Sequence, residues 1–243
     1  MKIRSPKIPK RSGSRIEEAF GLFLNREGSP MRLLRILLEF RRGFHFIRQY
    51  EKAVSFFGSA RDGFDRRFYG EAERLAAMLA REDFAVITGG GPGMMEAANR
   101  GAYNAGGRSV GINIDLPHGQ RTNPFVIESQ PFHYFFTRKV MLAFSSQVYV
   151  FMPGGFGTLD EFFEIITLVQ TNKISPIPVI LIGREYWGPL LKWMKEDLYK
   201  KNKAISKMDM DIYHLADNAE EAYELIRRLL EENNHKKAQN HNH

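Results

Sequence analysis

Two turns in this sequence are composed to meet an anion. Thr88-Gly89-Gly90-Gly91-Pro92-Gly93 and Pro153-Gly154-Gly155-Phe156-Gly157-Thr158 each close a short apolar run and open a helical pattern, so both stand where a strand hands over to a helix. Glycine at such a junction permits positive φ and close approach of a ligand to the backbone, while the helix behind it offers N–H groups without partners and a partial positive charge. Neither turn matches G-x-G-x-x-G or the Walker pattern ending in Gly-Lys-Ser/Thr. The dinucleotide and triphosphate templates therefore fail on spacing, and a mononucleotide with one phosphate is the better fit. Either turn alone reads equally well as a plain tight turn; two of them at strand ends favour a ligand. Glu161 follows Thr158 by three positions, which suits a catalytic carboxylate and equally a T-x-x-E capping box that only reaches back to the first turn. Arg138 and Lys139 follow Phe135-Phe136 at the start of a helical stretch, where a solvated basic pair or a partner for a nearby carboxylate is the plain alternative.

The elements that must position these residues follow from hydrophobic period. Continuous apolar runs at Ala53–Phe57, Phe84–Thr88, Ser109–Ile114, Gln147–Met152 and Pro178–Ile182 alternate with helical patterns near Asp65–Arg81, Pro92–Ala105, Tyr134–Ser145, Thr158–Thr171 and Tyr186–Lys201, with a last one at Ala219–Glu232. Such strands with helices between them predict an α/β, Rossmann-like, doubly wound parallel sheet whose ligand site lies beyond the carboxyl ends of the strands. Met31–Tyr50 has apolar residues at helical spacing and reads as one or two amphipathic helices, an N-terminal helical extension packed on the main domain. The expected organisation is a basic, disordered tail over 1–30, the extension over 31–50, one nucleotide-binding domain over 51–232 and a disordered tail over 233–243.

Composition narrows the function classes. A chain of 243 residues with 43% hydrophobic residues can fill one large α/β core. There is no cysteine, so a disulfide framework and a Cys-ligated metal are excluded. No apolar run approaches the ~18–20 residues that span a bilayer, and no secretory leader is legible near Met1, so a soluble cytoplasmic protein without a membrane partner is expected. The net charge of +7 traces largely to Lys2, Arg4, Lys7, Lys10, Arg11 and Arg15. A solvated basic arm explains them better than nucleic-acid binding, which ranks last among the functions considered. No Asp/Glu/His cluster at metal-ligand spacing accompanies the glycine turns, so the chemistry is expected to need neither a metal nor a cofactor.

In these residues the chain resembles the LOG (Lonely Guy) family, whose hallmarks are an Arg-Lys pair and P-G-G-x-G-T-x-x-E, here Arg138-Lys139 and Pro153 to Glu161. The larger bacterial branch of that family is also similar over Phe57-Gly58-Ser59-Ala60-Arg61, over Thr88 to Gly101 and over Phe135-Phe136-Thr137. The resemblance implies hydrolysis of the N-glycosidic bond of purine nucleoside 5'-monophosphates, AMP or its prenylated cytokinin forms, to free base and ribose 5-phosphate. It implies Arg138 and Glu161 as the catalytic pair. It implies a substrate-binding set of Gly154, Gly155, Phe156, Gly157 and Thr158 around the phosphate, with Gly58, Ser59, Gly89, Gly90, Gly91, Lys139 and Thr167 at further positions. Relatives often carry a Glu before the Arg-Lys pair, where Pro117-His118-Gly119-Gln120-Arg121 has no carboxylate. Members are often labelled lysine decarboxylases, yet no residue is marked as a Schiff-base lysine or a pyridoxal phosphate site.

Breaking an N-glycosidic bond builds positive charge on the ribose, which an ionised carboxylate stabilises while orienting water. Placed in a first helical turn, Glu161 is expected to stay charged, and Arg138 is protonated at any relevant pH, so neither is expected to be the acid that protonates the leaving base. His118 and His133 are the candidates for that acid, with water as the alternative. The rival function is a non-catalytic carrier of a nucleotide or phosphorylated cofactor on the same loops. The apolar girth of the helix at Thr158–Thr171 further predicts a homodimer with the site near its interface.

Overall fold

The computed structural model describes residues 29–61, 65–115 and 122–240. Residues 1–28 of the expected basic tail, His118 with the rest of the 117–121 loop, and the last three residues lie outside the described residues. Seven strands, β1 (Ala53–Phe57), β2 (Ala85–Thr88), β3 (Ser109–Ile114), β4 (Glu128–Phe132), β5 (Val148–Phe151), β6 (Val179–Ile182) and β7 (Tyr213–Ala216), form one sheet in the order β4-β3-β2-β1-β5-β6-β7. Every pairing is parallel. The five strands expected from continuous apolar runs are the inner ones, and β1, β2, β5 and β6 are buried at every residue because helices cover both faces. The two strands that the hydrophobic pattern missed are the edges. β4 alternates buried and exposed and contains Pro131, which a strand accepts only where one side lacks a neighbour; β7 is four residues long and half-buried in its middle.

Helices α2 (Arg66–Arg81), α3 (Met94–Asn104) and α7 (Ala219–Asn240) cover one face of the sheet; α1 (Ser29–Ile47), α4 (Phe135–Ala143), α5 (Phe156–Gln170) and α6 (Arg184–Trp193) cover the other. Successive strand residues point to opposite sides, so Phe56 joins Leu75, Leu79 and Ile226 while Phe57 joins Ile87, Phe151 and Phe162. Phe162 is fully buried, with its ring centroid 5.5 Å from that of Phe151 and 5.4 Å from that of Trp187. Burying such a ring is worth about 2–3 kcal/mol, and it ties α5 to β5 one residue after Glu161.

Boundaries differ from expectation where local signals compete. The extension, expected as one or two helices, is one, and it starts at Ser29 and ends at Ile47. Helix α5 begins at Phe156, two residues early, because Gly155 and not Thr158 is its N-cap. Helix α6 continues as π-helix over Met194–Lys201. Helix α7 runs to Asn240, beyond the frayed end expected from 233, since Glu, Lys, Ala and Gln sustain a helix without an apolar anchor. Among the described residues, no helix is long and apolar enough to cross a membrane.

The strand order sets the site. From β1 the chain steps outward through β2 and β3 to β4, then crosses back to place β5 on the other side of β1. Neighbouring strands β1 and β5 therefore lead their loops away from each other, which opens a crevice at their carboxyl ends.

Candidate active site at the switch point

The loops beyond β1, β2 and β5 are clasped together by backbone. The Ser59 N–H donates to the Pro153 carbonyl (3.1 Å), and the Met94 N–H donates to the Ser59 carbonyl (2.9 Å). Glycine makes this closeness possible at two points: Gly93, at φ +75°, would push a Cβ onto the Ser59 carbonyl oxygen, and a Cβ on Gly154 would lie 2.9 Å from the Ser59 nitrogen as well as against the Thr158 hydroxyl. The result is a cavity of about 890 Å³ over the crevice. One wall is the start of α5. Its N-cap Gly155 has no side chain to cap with, and added Cβ atoms on Gly155 and Gly157 would meet nothing within 4 Å. The first N–H groups of a fifteen-residue helix thus stand open toward the cavity, the arrangement that holds a phosphate.

Arg138 and Glu161 reach the same cavity from different helices. Arg138, on α4, folds back over the sheet, where its Nε donates to the Ile112 carbonyl (2.8 Å) and its Nη2 to the Gly89 carbonyl (3.4 Å). The guanidinium occupies the space a side chain at position 89 would need. Burial lowers the Arg138 pKa from its ordinary value, and the Glu161 charge opposes that. Glu161, on α5, is 7% exposed, and its Oε2 has no hydrogen-bond partner among the described residues. Burial pushes its carboxyl up to about 7; Lys139 and Arg138 pull it down while Glu164 and Asp160 push it further up. This corrects the expectation of a firmly charged group. Glu161 lies in the second turn of α5, not the first, so desolvation outweighs the helix end. The capping-box alternative also falls, because Thr158 sits inside the helix and no side chain caps it.

Of the residues expected at the site, the cavity gathers Gly58, Ser59, Gly89, Arg138, Gly154, Gly155, Phe156, Gly157, Thr158 and Glu161. Four stand apart. Gly90 (φ +71°) and Gly91 present their carbonyls to the Asn123 N–H (2.9 Å) and the Asn123 Nδ2 (3.0 Å), respectively. Lys139 turns to Asp160 (2.5 Å) and Glu164 (3.2 Å), whose charges together with Glu161 raise its pKa against the effect of burial. Thr167 is exposed two turns further along α5. His133 is exposed outside the cavity, with its N–H donating to Glu39 (2.7 Å). The residues unforeseen are Arg61, which lines the cavity, and Asn123, which joins Asn99 (2.9 Å) to hold the β2 loop. Arg61 ends the Phe57-Gly58-Ser59-Ala60-Arg61 segment, a signal that could have singled it out; a lone buried asparagine carries no signal of its own.

Fold and site together define a Rossmann-like α/β protein in which an uncapped helix start and a buried carboxylate line one cavity. Residues 95–226, over half of the chain, match the family whose profile is described as "Possible lysine decarboxylase", and the chain belongs to this family, the LOG family. It is 28% identical over 150 residues to the cytokinin riboside 5'-monophosphate phosphoribohydrolase of Rhodococcoides fascians, covering 59% of this chain and 74% of that one. It is 29% identical over 163 residues to the protein of the same description from Arabidopsis thaliana, covering 65% and 73%. In fold it is similar to the molybdenum cofactor carrier protein of Chlamydomonas reinhardtii (TM-score 0.55, 22% identity, 74% of this chain and 98% of that one). The molybdenum cofactor binding protein of Rippkaea orientalis is alike to the same degree (TM-score 0.56, 22%, 74% and 98%).

Proposed function

We propose that this cavity hydrolyses the N-glycosidic bond of a purine nucleoside 5'-monophosphate, AMP or a cytokinin riboside 5'-monophosphate, with water, to free base and ribose 5-phosphate. The observation that carries the reading is the Glu161 Oε2, without a hydrogen-bond partner among the described residues, in the cavity that the uncapped start of α5 also walls. A phosphate on the Gly154–Thr158 backbone anchors the nucleotide, and the ionised Glu161 stabilises the positive charge that develops on the ribose and orients the attacking water. Lys139 most strongly, and Arg138, fixed by two backbone carbonyls, more weakly, oppose the upward push of burial on the Glu161 carboxyl and favour its ionised form. Lys139 is held protonated by its carboxylate partners, the opposite of what Schiff-base chemistry requires, and no lysine lines the cavity among the described residues.

A carrier needs the same phosphate cradle but no buried carboxylate aimed at the sugar, and the likeness to the cofactor carriers is one of fold. Incubation with a panel of nucleoside 5'-monophosphates separates the two. The hydrolase releases free base, seen by chromatography, whereas tight binding without release supports the carrier. The reading includes a cytoplasmic homodimer whose interface adjoins the cavity: Phe156 is 92% exposed and Phe135 56% exposed at its rim, and Leu159, Phe163, Ile166 and Leu168 of α5 are only partly covered by their own chain. Light scattering tests it, and a stable mass at 28.0 kDa rules it out.

A further inference from the structure

We infer that Arg61 is the cation of the phosphate subsite, gripping the 5'-phosphate from the β1 loop while the α5 start holds it from the β5 loop; this rests on the nucleotide reading above. Charge supplies the reason. A phosphate monoester carries about −1.5 to −2 at neutral pH, whereas a helix N-terminus offers roughly +0.5. Two cationic side chains line the cavity among the described residues, Arg61 and Arg138. The Arg138 guanidinium is engaged by the Ile112 and Gly89 carbonyls and faces Glu161, while Lys139 is spent on Asp160 and Glu164. The Arg61 guanidinium has no ion pair or hydrogen bond among the described residues, and the side chain is exposed.

Its backbone, by contrast, is pinned on both sides. The Arg61 N–H donates to the Ser59 hydroxyl (3.2 Å), and the Tyr69 hydroxyl donates to the Arg61 carbonyl (2.8 Å). Ser59, two residues earlier, is bonded to Pro153 and packs on Gly154. A fixed stem with a planar fork unpaired among the described residues, two residues from the serine that bonds to the phosphate loop, presents the bidentate geometry that phosphate oxygens accept. The substrate class that follows is a sugar 5-phosphate bound as its dianion, with selection against the unphosphorylated nucleoside made by Arg61 and the helix start together.

Titration calorimetry with ribose 5-phosphate, which needs no turnover, tests this on the full chain. Arg61→Gln weakens binding by about ten- to a hundredfold, and Arg61→Lys, which keeps charge without the fork, falls between it and the parent protein. In steady state, the KM for AMP rises by a similar factor in Arg61→Gln while kcat changes less than about threefold, the signature of binding lost equally from ground and transition states. Because the side chain is exposed, the melting temperature of both variants stays that of the parent. Unchanged ribose 5-phosphate affinity in Arg61→Gln overturns the assignment, as does a loss confined to kcat, and so does a parent protein that does not bind ribose 5-phosphate. If the parent binds it through Arg61 but releases no base from any monophosphate, the hydrolase reading fails and the subsite stands.

Discussion

The β2 and β5 loops look alike in sequence, each a run of glycines between a strand and a helix, yet, Gly154 apart, which packs on Ser59 and Thr158, the folded chain uses their glycines for opposite purposes. In the β2 loop, Gly90 and Gly93 have φ of +71° and +75°, and a Cβ on either would collide, with the Asn113 side chain or with the Ser59 carbonyl. Those glycines allow packing: the loop is filled from outside by Asn123 and from inside by Arg138. In the β5 loop, Gly155 and Gly157 have ordinary backbone and empty space where a side chain would stand. There the missing side chain leaves room for something that is not protein. A glycine-rich turn is thus a packing device or a ligand cradle according to what faces it, and residue type alone does not distinguish the two.

The largest effect should come on the cradle side. Glu161→Gln removes the charge and keeps the shape, and turnover of a nucleoside monophosphate is expected to fall by about a thousandfold or more in a direct assay of free base. The protein should fold at least as well at pH 8. With its folded pKa above the ordinary value, Glu161 opposes folding increasingly as pH rises from about 4.5 toward 7 and fully above that, and the Gln variant is free of this cost. Near-normal turnover would leave the cradle a binding site without chemistry.

Paired alanines test the comparison itself. Gly93→Ala meets backbone at a positive φ and should lose roughly 1–3 kcal/mol or more, visible as a melting temperature lower by about 3–10 °C. Gly155→Ala should melt like the parent yet raise the KM for AMP by about tenfold, because the methyl group enters the space assigned to phosphate. If the two effects exchange places, the loops have been assigned the wrong way round. Asn123→Ala sharpens the packing side: it unties the Gly91 carbonyl and Asn99, which should cost about 1–3 kcal/mol in denaturant unfolding and leave kcat within about twofold.

The smallest effect expected is electrostatic. If Glu161 acts ionised, kcat/KM should rise with pH through a midpoint near 7. Lys139 is the largest influence holding that midpoint down, so Lys139→Met should move it upward and reduce the rate at neutral pH by a few fold. A downward shift would show that Lys139 does not hold the midpoint down, and a profile that falls with rising pH would make Glu161 a proton donor instead.

The inner sheet, its helices and the position of both glycine turns were legible because they depend on local pattern: a strand buried on both faces must be continuously apolar, and a loop between strand and helix must turn. Edge strands β4 and β7 were not legible, since an edge tolerates Glu128, Pro131 and His214. The sequence by itself determined the fold class, the glycine turn that opens α5, and Arg138 and Glu161 as residues that one cavity gathers. Only the tertiary structure decided that Lys139 and Thr167 face away, that Arg61 faces in, and that Glu161 has its carboxyl raised to about 7 rather than held charged. The reason is that facing, burial and ionisation are set by neighbours brought from distant parts of the chain: the strand order that places β5 against β1, and the carboxylates and cations it gathers around one oxygen atom.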